Sequence, residues 1–223
     1  MAIRAVICDF GGVLTTPLVG SFMAFQDQTG IPTEALGSAM GRIYERDGTH
    51  PLYELEKGHI TEHDFLATLR TELAVELGHE PELHDFKEIY FRALNPNEEM
   101  IAEMAAARDA GYRMAMLTNN VREWEPLWRA MLPVDEIFEL VVDSAFVGMR
   151  KPEPEIYHLT LDRIRKHDPG ALSDLEYSEC LFIDDFEVNC AAAKELGIHA
   201  VRFESTGQAL AEIRAALGTL AGP

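Results

Sequence analysis

Five short apolar runs punctuate this chain, at residues 5–8, 113–117, 140–142, 180–183 and 200–203. Each has the length of a buried strand rather than of a helix. Helical patterns lie between the later runs: residues 97–110 end at Gly111, and residues 188–196 end at Gly197. A glycine just past a periodic apolar stretch is a helix C-terminal signal. Residues 121–131, 155–165 and 207–217 read as further helices, the last ended by Gly218. Strands alternating with helices predict an α/β fold, a doubly wound parallel sheet with helices on both faces.

Residues 16–95 break that alternation. They hold amphipathic stretches at 20–29, 34–46, 62–77 and 81–94 and no strand-like run. We expect a helical unit inserted into a core formed by residues 1–15 and 96–223. The chain should return to the core at Asn95-Pro96-Asn97, with one of the two asparagines capping the next helix. The last residues, Ala221-Gly222-Pro223, should fray. There are 223 residues and 47% hydrophobic side chains, enough for a core domain with a smaller insert.

Ligands of a doubly wound sheet bind outside the carboxyl ends of its strands, and four such handovers carry polar residues. The first run delivers Asp9 into Phe10-Gly11-Gly12. An acid ending a buried strand is costly unless it meets water, a donor or a metal. The two glycines let the backbone turn and bring N–H groups near an anion. The second run ends in Thr118-Asn119, which is either a pair of phosphate-binding groups or the N-cap of the following helix. Lys151 lies between Arg150 and Pro152 and before Pro154, so the backbone around it is restricted. Taken alone it is a solvated loop lysine. The fourth run ends in Asp184-Asp185 with Asn189 beyond. Adjacent carboxylates repel, which favours a hard cation such as Mg²⁺; otherwise the pair caps a helix. Together, the four sites argue for one pocket holding an acid, a hydroxyl, a lysine and an acid pair.

The formal net charge of −19 sets this pocket in a field that repels nucleic acid and anionic membranes, so neither is an expected partner. A phosphorylated ligand must then be attracted locally, by Lys151 or a metal. The three cysteines, Cys8, Cys180 and Cys190, lack CxxC spacing and read as reduced, buried side chains. The apolar run before Asp9 is too short for a signal peptide, and no run approaches a membrane span. A cytoplasmic protein is expected.

In order and spacing these residues resemble the haloacid dehalogenase-like hydrolase superfamily. The matching motifs are Asp9-Phe10-Gly11-Gly12-Val13-Leu14, Leu117-Thr118-Asn119, Lys151-Pro152, and Ile183-Asp184-Asp185 with Asn189. Residues 16–95 resemble the family's C1 cap. Within them, Leu55-Glu56-Lys57-Gly58-His59-Ile60-Thr61 with Phe65 is similar to the branch containing the phosphatase domain of soluble epoxide hydrolase and bacterial glucose-1-phosphate phosphatases. The resemblance implies a Rossmann-like core and a phosphatase of small phosphorylated metabolites. Asp9 would attack phosphorus, with an aspartyl-phosphate intermediate. Mg²⁺ would be held by Asp9, the Gly11 carbonyl and Asp185, with Asp184 acting through water. Lys151 would neutralise charge, Thr118, the Asn119 N–H and the Gly11-Gly12 loop would bind phosphate, and Asn189 would orient the acidic loop.

One position departs from the family pattern. Gly11 stands where most of these phosphatases carry an Asp that protonates the leaving oxygen. Three consequences are open: a substrate with a good leaving group, a replacement from His50, Glu54, Glu56 or His59, or a phospholigand-binding protein with weak or no turnover. A metal-independent 2-haloacid dehalogenase is a further alternative, opposed by the Asp184-Asp185 pair.

Overall fold

The computed structural model describes residues 2–83 and 85–218. The apolar runs form five parallel strands: β1 (Ala5–Cys8), β2 (Arg113–Thr118), β3 (Leu140–Asp143), β4 (Cys180–Asp184) and β5 (His199–Arg202). Their order is β3-β2-β1-β4-β5, so the strand carrying Asp9 is central. Side chains alternate across the sheet, as the period of two requires. Val6, Cys8, Met114, Met116, Leu181 and Ile183 enter one apolar cluster, while Ala5, Ile7, Ala115, Leu117, Cys180 and Phe182 enter the other. Being buried on both faces, β1, β2 and β4 read as continuous apolar runs.

The inserted segment is helical: α1 (Val19–Thr29), α2 (Thr33–Asp47), α3 (Pro51–Glu56), α4 (Glu62–Leu77) and α5 (Phe86–Ala93). Glycines in the left-handed region end α1, α2 and α4 at Gly30, Gly48 and Gly78. α1 packs on α5 and α2 on α4. Phe25, Leu69, Leu73 and Phe86 from this segment join the apolar cluster on one face of the sheet. Two antiparallel crossings form its neck. Thr15 bridges Pro96, Thr16 N–H donates to the Asn95 carbonyl at 2.8 Å, and Asn97 N–H donates to the Leu14 carbonyl at 2.9 Å.

The core continues with α6 (Glu98–Asp109), a 3₁₀ turn at Arg122–Trp124, α7 (Glu125–Met131), α8 (Val134–Ile137), α9 (Ser144–Val147), α10 (Pro154–His167), α11 (Pro169–Leu172), a 3₁₀ turn at Tyr177–Glu179, α12 (Glu187–Glu195) and α13 (Thr206–Leu217). Asn97 caps α6 through its side chain, and Ser205 with Gln208 forms a capping box on α13. α6, α7 and α13 supply Met100, Met104, Trp128, Ala209 and Ile213 to one cluster. α10 and α12 supply Ile156, Leu161 and Ala193 to the other. Among the described residues no helix is long and apolar enough to cross a membrane.

Two local expectations are corrected, and one short helix, α3, is unexpected. The helix expected over 121–131 is a 3₁₀ turn followed by α7, because Pro126 lacks an N–H and sits in the first turn of a new helix. The helix expected over 81–94 begins only at Phe86: Pro81 and Leu83 are buried while the chain there is non-helical. Residue 84 of that run, and the expected fraying at Ala221-Gly222-Pro223, lie outside the described residues. α3 was too short to show a helical period, and Pro51 opens it.

Candidate functional site

Strand register builds the centre of the site. Cys8 pairs with Ile183 on one side and Met116 on the other, so Asp9 leaves the sheet level with Asp184. Lys151 enters from the loop before α10. Its Nζ lies 2.8 Å from Asp9 Oδ1 and 2.7 Å from Asp184 Oδ2. All three residues are buried, Lys151 to 1% exposure. Burial disfavours the ammonium, but Asp184 and Asp9 more than offset this, and the lysine pKa lies above its ordinary value. Burial pushes the Asp9 carboxyl well up, with Lys151 opposing and Asp184 and Asp185 adding to the rise. The other oxygen of Asp184 accepts from Asn189 Nδ2 and Phe186 N–H, each at 2.9 Å. Asp184 thereby has a partner on each oxygen, and Asn189 orients it as part of α12.

Asp185 is placed differently. Its Oδ1 is buried without a hydrogen-bond partner among the described residues. Burial, then Asp184, pushes its carboxyl up to about 6. Gly12, at φ 75°, lets this carboxylate approach: a Cβ there would lie 2.4 Å from Asp185 Oδ2. The Gly12 N–H already donates to Thr15 Oγ1 at 3.1 Å, so the visible role of Gly12 is clearance. Asp9, Asp184 and Asp185 each offer an oxygen within 4.8 Å of the others. Three carboxylates face one ammonium, with one oxygen orphaned. Such a hard oxygen set fits a divalent cation of the Mg²⁺ class.

Thr118 ends β2 and is buried. Asn119 does something that sequence reasoning missed. Its Nδ2 donates to the Lys151 carbonyl at 2.9 Å and its Oδ1 accepts from the Lys151 N–H at 2.8 Å. The amide side chain thus pins the peptide of the lysine, and no spacing rule signals a pair 32 positions apart. Gly11 is partly exposed, and the nearest atoms a Cβ on it would meet are the Leu18 methyl groups, at 3.2 and 3.3 Å. Three of the four residues considered as replacement acids are paired elsewhere, and the fourth, His50, has a buried Nδ1 without a hydrogen-bond partner among the described residues. Glu56 binds Arg150 at 2.7 Å, His59 binds Glu54 at 2.9 Å, and His50 stacks on Tyr53 at 4.4 Å. Among the described residues none of the four is hydrogen-bonded or ion-paired to Asp9, Lys151 or Asp184.

The surplus negative charge generates a stability prediction. A carboxyl whose folded pKa exceeds its unfolded value destabilises the fold above that value, and the cost vanishes once the group is protonated in both states. In chelator at pH 7.5, Asp185→Asn is therefore expected to stabilise the protein by on the order of 1 kcal/mol after solvent screening. The gain should fade as pH falls from about 6 to below about 4. Urea unfolding of both proteins measures it; a variant less stable than wild type at pH 7.5 would refute the excess-charge picture.

The family model described as haloacid dehalogenase-like hydrolase matches residues 3–197. The chain is 26% identical over 234 residues to bifunctional epoxide hydrolase 2 of Mus musculus, covering 98% of this chain but 40% of that protein. It thus spans about two-fifths of that relative's length. A sesquiterpene phosphatase of Aspergillus oryzae is 25% identical over 224 residues, covering 96% of this chain and 97% of its own. A solved enzyme of the same family from Bacteroides thetaiotaomicron, in complex with magnesium and inorganic phosphate, superposes with a TM-score of 0.61 at 23% identity, covering 90% of this chain and 94% of that one. The family model spans most of the chain, and the chain belongs to the haloacid dehalogenase-like hydrolases.

Proposed function

We propose that this hydrolase is a Mg²⁺-dependent phosphatase of a small phosphorylated metabolite, working through an aspartyl-phosphate on Asp9. The observation that carries the reading is the Asp9–Lys151–Asp184 bridge beside the unpartnered Asp185 oxygen. Residues 1–15 and 96–223 would form the catalytic core, and residues 16–95 a cap over it. The haloacid dehalogenase alternative is disfavoured by the same acidic set, which would repel a carboxylate substrate.

Asp9 is the nucleophile. Its carboxylate is held at the strand end by the Phe10 N–H, 2.7 Å from Oδ1, which leaves Oδ2 to attack phosphorus in line with the leaving oxygen. Lys151 neutralises the carboxylate before attack and the phosphoryl oxygens during it. Thr118 Oγ1 and the Asn119 N–H are the donors for those oxygens. The Asn119 side chain keeps Lys151 in place. Mg²⁺, when bound by Asp9, the Gly11 carbonyl and Asp185, with Asp184 reached through water, supplies positive charge to the transferring group. Water then cleaves the aspartyl-phosphate and returns Asp9.

Gly11 supplies no proton. Losing a general acid typically lowers rate by about 10² to 10⁴, so turnover depends on how basic the leaving oxygen is. A second reading rests on that residue: a phospholigand-binding protein with little turnover, keeping Lys151 and the acid triad for affinity.

Phosphate release from p-nitrophenyl phosphate and a panel of sugar and acyl phosphates is expected with Mg²⁺, and should be lost with chelator or in Asp9→Asn. Release that survives chelation sinks the metal-dependent reading, and tight phosphate binding without turnover on any panel member favours the second. The nearest crowding at Gly11 comes from flexible Leu18 methyl groups. Gly11→Asp, alone and with Leu18→Ala, is accordingly expected to raise turnover of alkyl phosphates by at least about tenfold, with far less effect on acyl phosphates. Equal effects on both classes in a folded variant would show that proton supply is not what this position limits.

A further inference from the structure

The segment Leu55–Thr61, singled out by its sequence, takes no part in the chemistry proposed above. In the fold it is the end of α3 and the turn into α4, and it rests on the core loop that carries Lys151. Arg150, immediately before the lysine, donates from Nε to Glu56 Oε2 at 2.7 Å. Both side chains are largely buried, at 14% and 15% exposure. The Arg150 guanidinium also lies 3.9 Å above the ring of Tyr53, so the insert holds it from two directions. Glu153, on the far side of the lysine, pairs with Lys57. Residues 150 and 153 are themselves tied together, Glu153 N–H donating to the Arg150 carbonyl at 2.8 Å and Arg150 N–H to Glu153 Oε2 at 3.2 Å.

Two further contacts seat the same turn on α9. Ser144 Oγ donates to the Glu56 carbonyl at 2.6 Å. Gly58, at φ 67°, lies so close that a Cβ would come within 2.3 Å of the Ala145 carbonyl oxygen. A neighbouring acid and base in the insert thus pair with a base and an acid that bracket Lys151. Within the core, Asn119 grips the peptide of the lysine itself. The lysine backbone is held between the core and the insert, with its ammonium aimed at Asp9 and Asp184.

We propose that Glu56 and Lys57 are positioning residues for Lys151, acting through Arg150 and Glu153, so that the lysine is aligned on Asp9 only while the helical insert is seated on the core. The inference rests on the role of Lys151 proposed above. It makes catalytic competence conditional on docking of the insert, and gives the Glu56-Lys57-Gly58 turn a purpose beyond adhesion. A merely adhesive contact would change stability and leave the chemical step of the folded protein alone. An interlock changes the chemical step.

The test uses the full chain, p-nitrophenyl phosphate and saturating Mg²⁺, with circular dichroism and urea midpoints selecting folded variants. Glu56→Gln combined with Lys57→Met is expected to lower kcat by about 10²-fold while KM and half-saturating Mg²⁺ move by less than about threefold, since misplacement of a catalytic group spares binding. The reciprocal swap Lys57→Glu with Glu153→Lys should recover at least about tenfold of the kcat lost in Lys57→Glu alone. Lys57→Glu also serves if the double variant fails to fold, because Lys57 and Glu153 are the more exposed pair. An unchanged kcat, a loss confined to KM, or a swap without recovery overturns the interlock. Lys151→Met separates the two levels: its inactivity beside fully active Glu56 and Lys57 variants removes only the interlock, whereas its full activity removes the proposed role of the lysine as well.

Discussion

A lysine with 1% exposure can keep its charge only where the protein supplies the counter-charge that water no longer does. Lys151 has two such partners, Asp9 and Asp184, and everything else around the site follows from satisfying these three groups. The Oδ1 of Asp184 accepts from Asn189 and Phe186, which fixes the start of α12. Asn119 fixes the lysine peptide. What stays unsatisfied is the third carboxylate, Asp185, brought in past a glycine that leaves it room. A negative excess of this kind, at one end of a parallel sheet, is a cost unless a cation is to be held there.

The sheet explains why the acids meet although they are far apart in the chain. Parallel pairing of β1 with β4 in the register Cys8 to Ile183 sets Asp9 beside Asp184, and β2 on the other side sets Thr118 next to the same opening. The helical insert leaves the core between Leu14 and Thr16 and returns at Asn95 to Asn97, one short neck beyond Asp9. Its own apolar side chains are continuous with the cluster on one face of the sheet. The insert is therefore built onto the sheet, and the Glu56-Lys57-Gly58 turn is where it reaches the loop of the lysine.

Much of this was legible in the sequence, and for a physical reason. Asp9, Thr118 and the Asp184-Asp185 pair stand at the ends of apolar runs, and a polar group in that position is visible without any knowledge of pairing. The five strands were marked by the same runs, and helix ends by glycines such as Gly111 and Gly197. Less visible were features that depend on contacts between distant segments. Lys151 read alone as a solvated lysine, and only the fold buries it. Asn119 read as a donor by its backbone, yet its side chain is committed to a peptide that no local pattern brings near. α3 was missed because six residues cannot show a helical period. Residues 81–83 extend an apolar pattern in the sequence because Pro81 and Leu83 are apolar, yet both are buried in a non-helical segment.

The central claim is that Asp9, neutralised by Lys151, carries a phosphoryl group during turnover. Rapid acid quench of the working enzyme with Mg²⁺ and acetyl phosphate, followed by mass spectrometry of its peptides, tests it most directly. One phosphoryl group on the Asp9 peptide, absent from Asp9→Asn and from enzyme treated with chelator, is the result this account predicts. Steady turnover with that peptide unmodified at every quench time, or with the phosphoryl group on another residue, would contradict it.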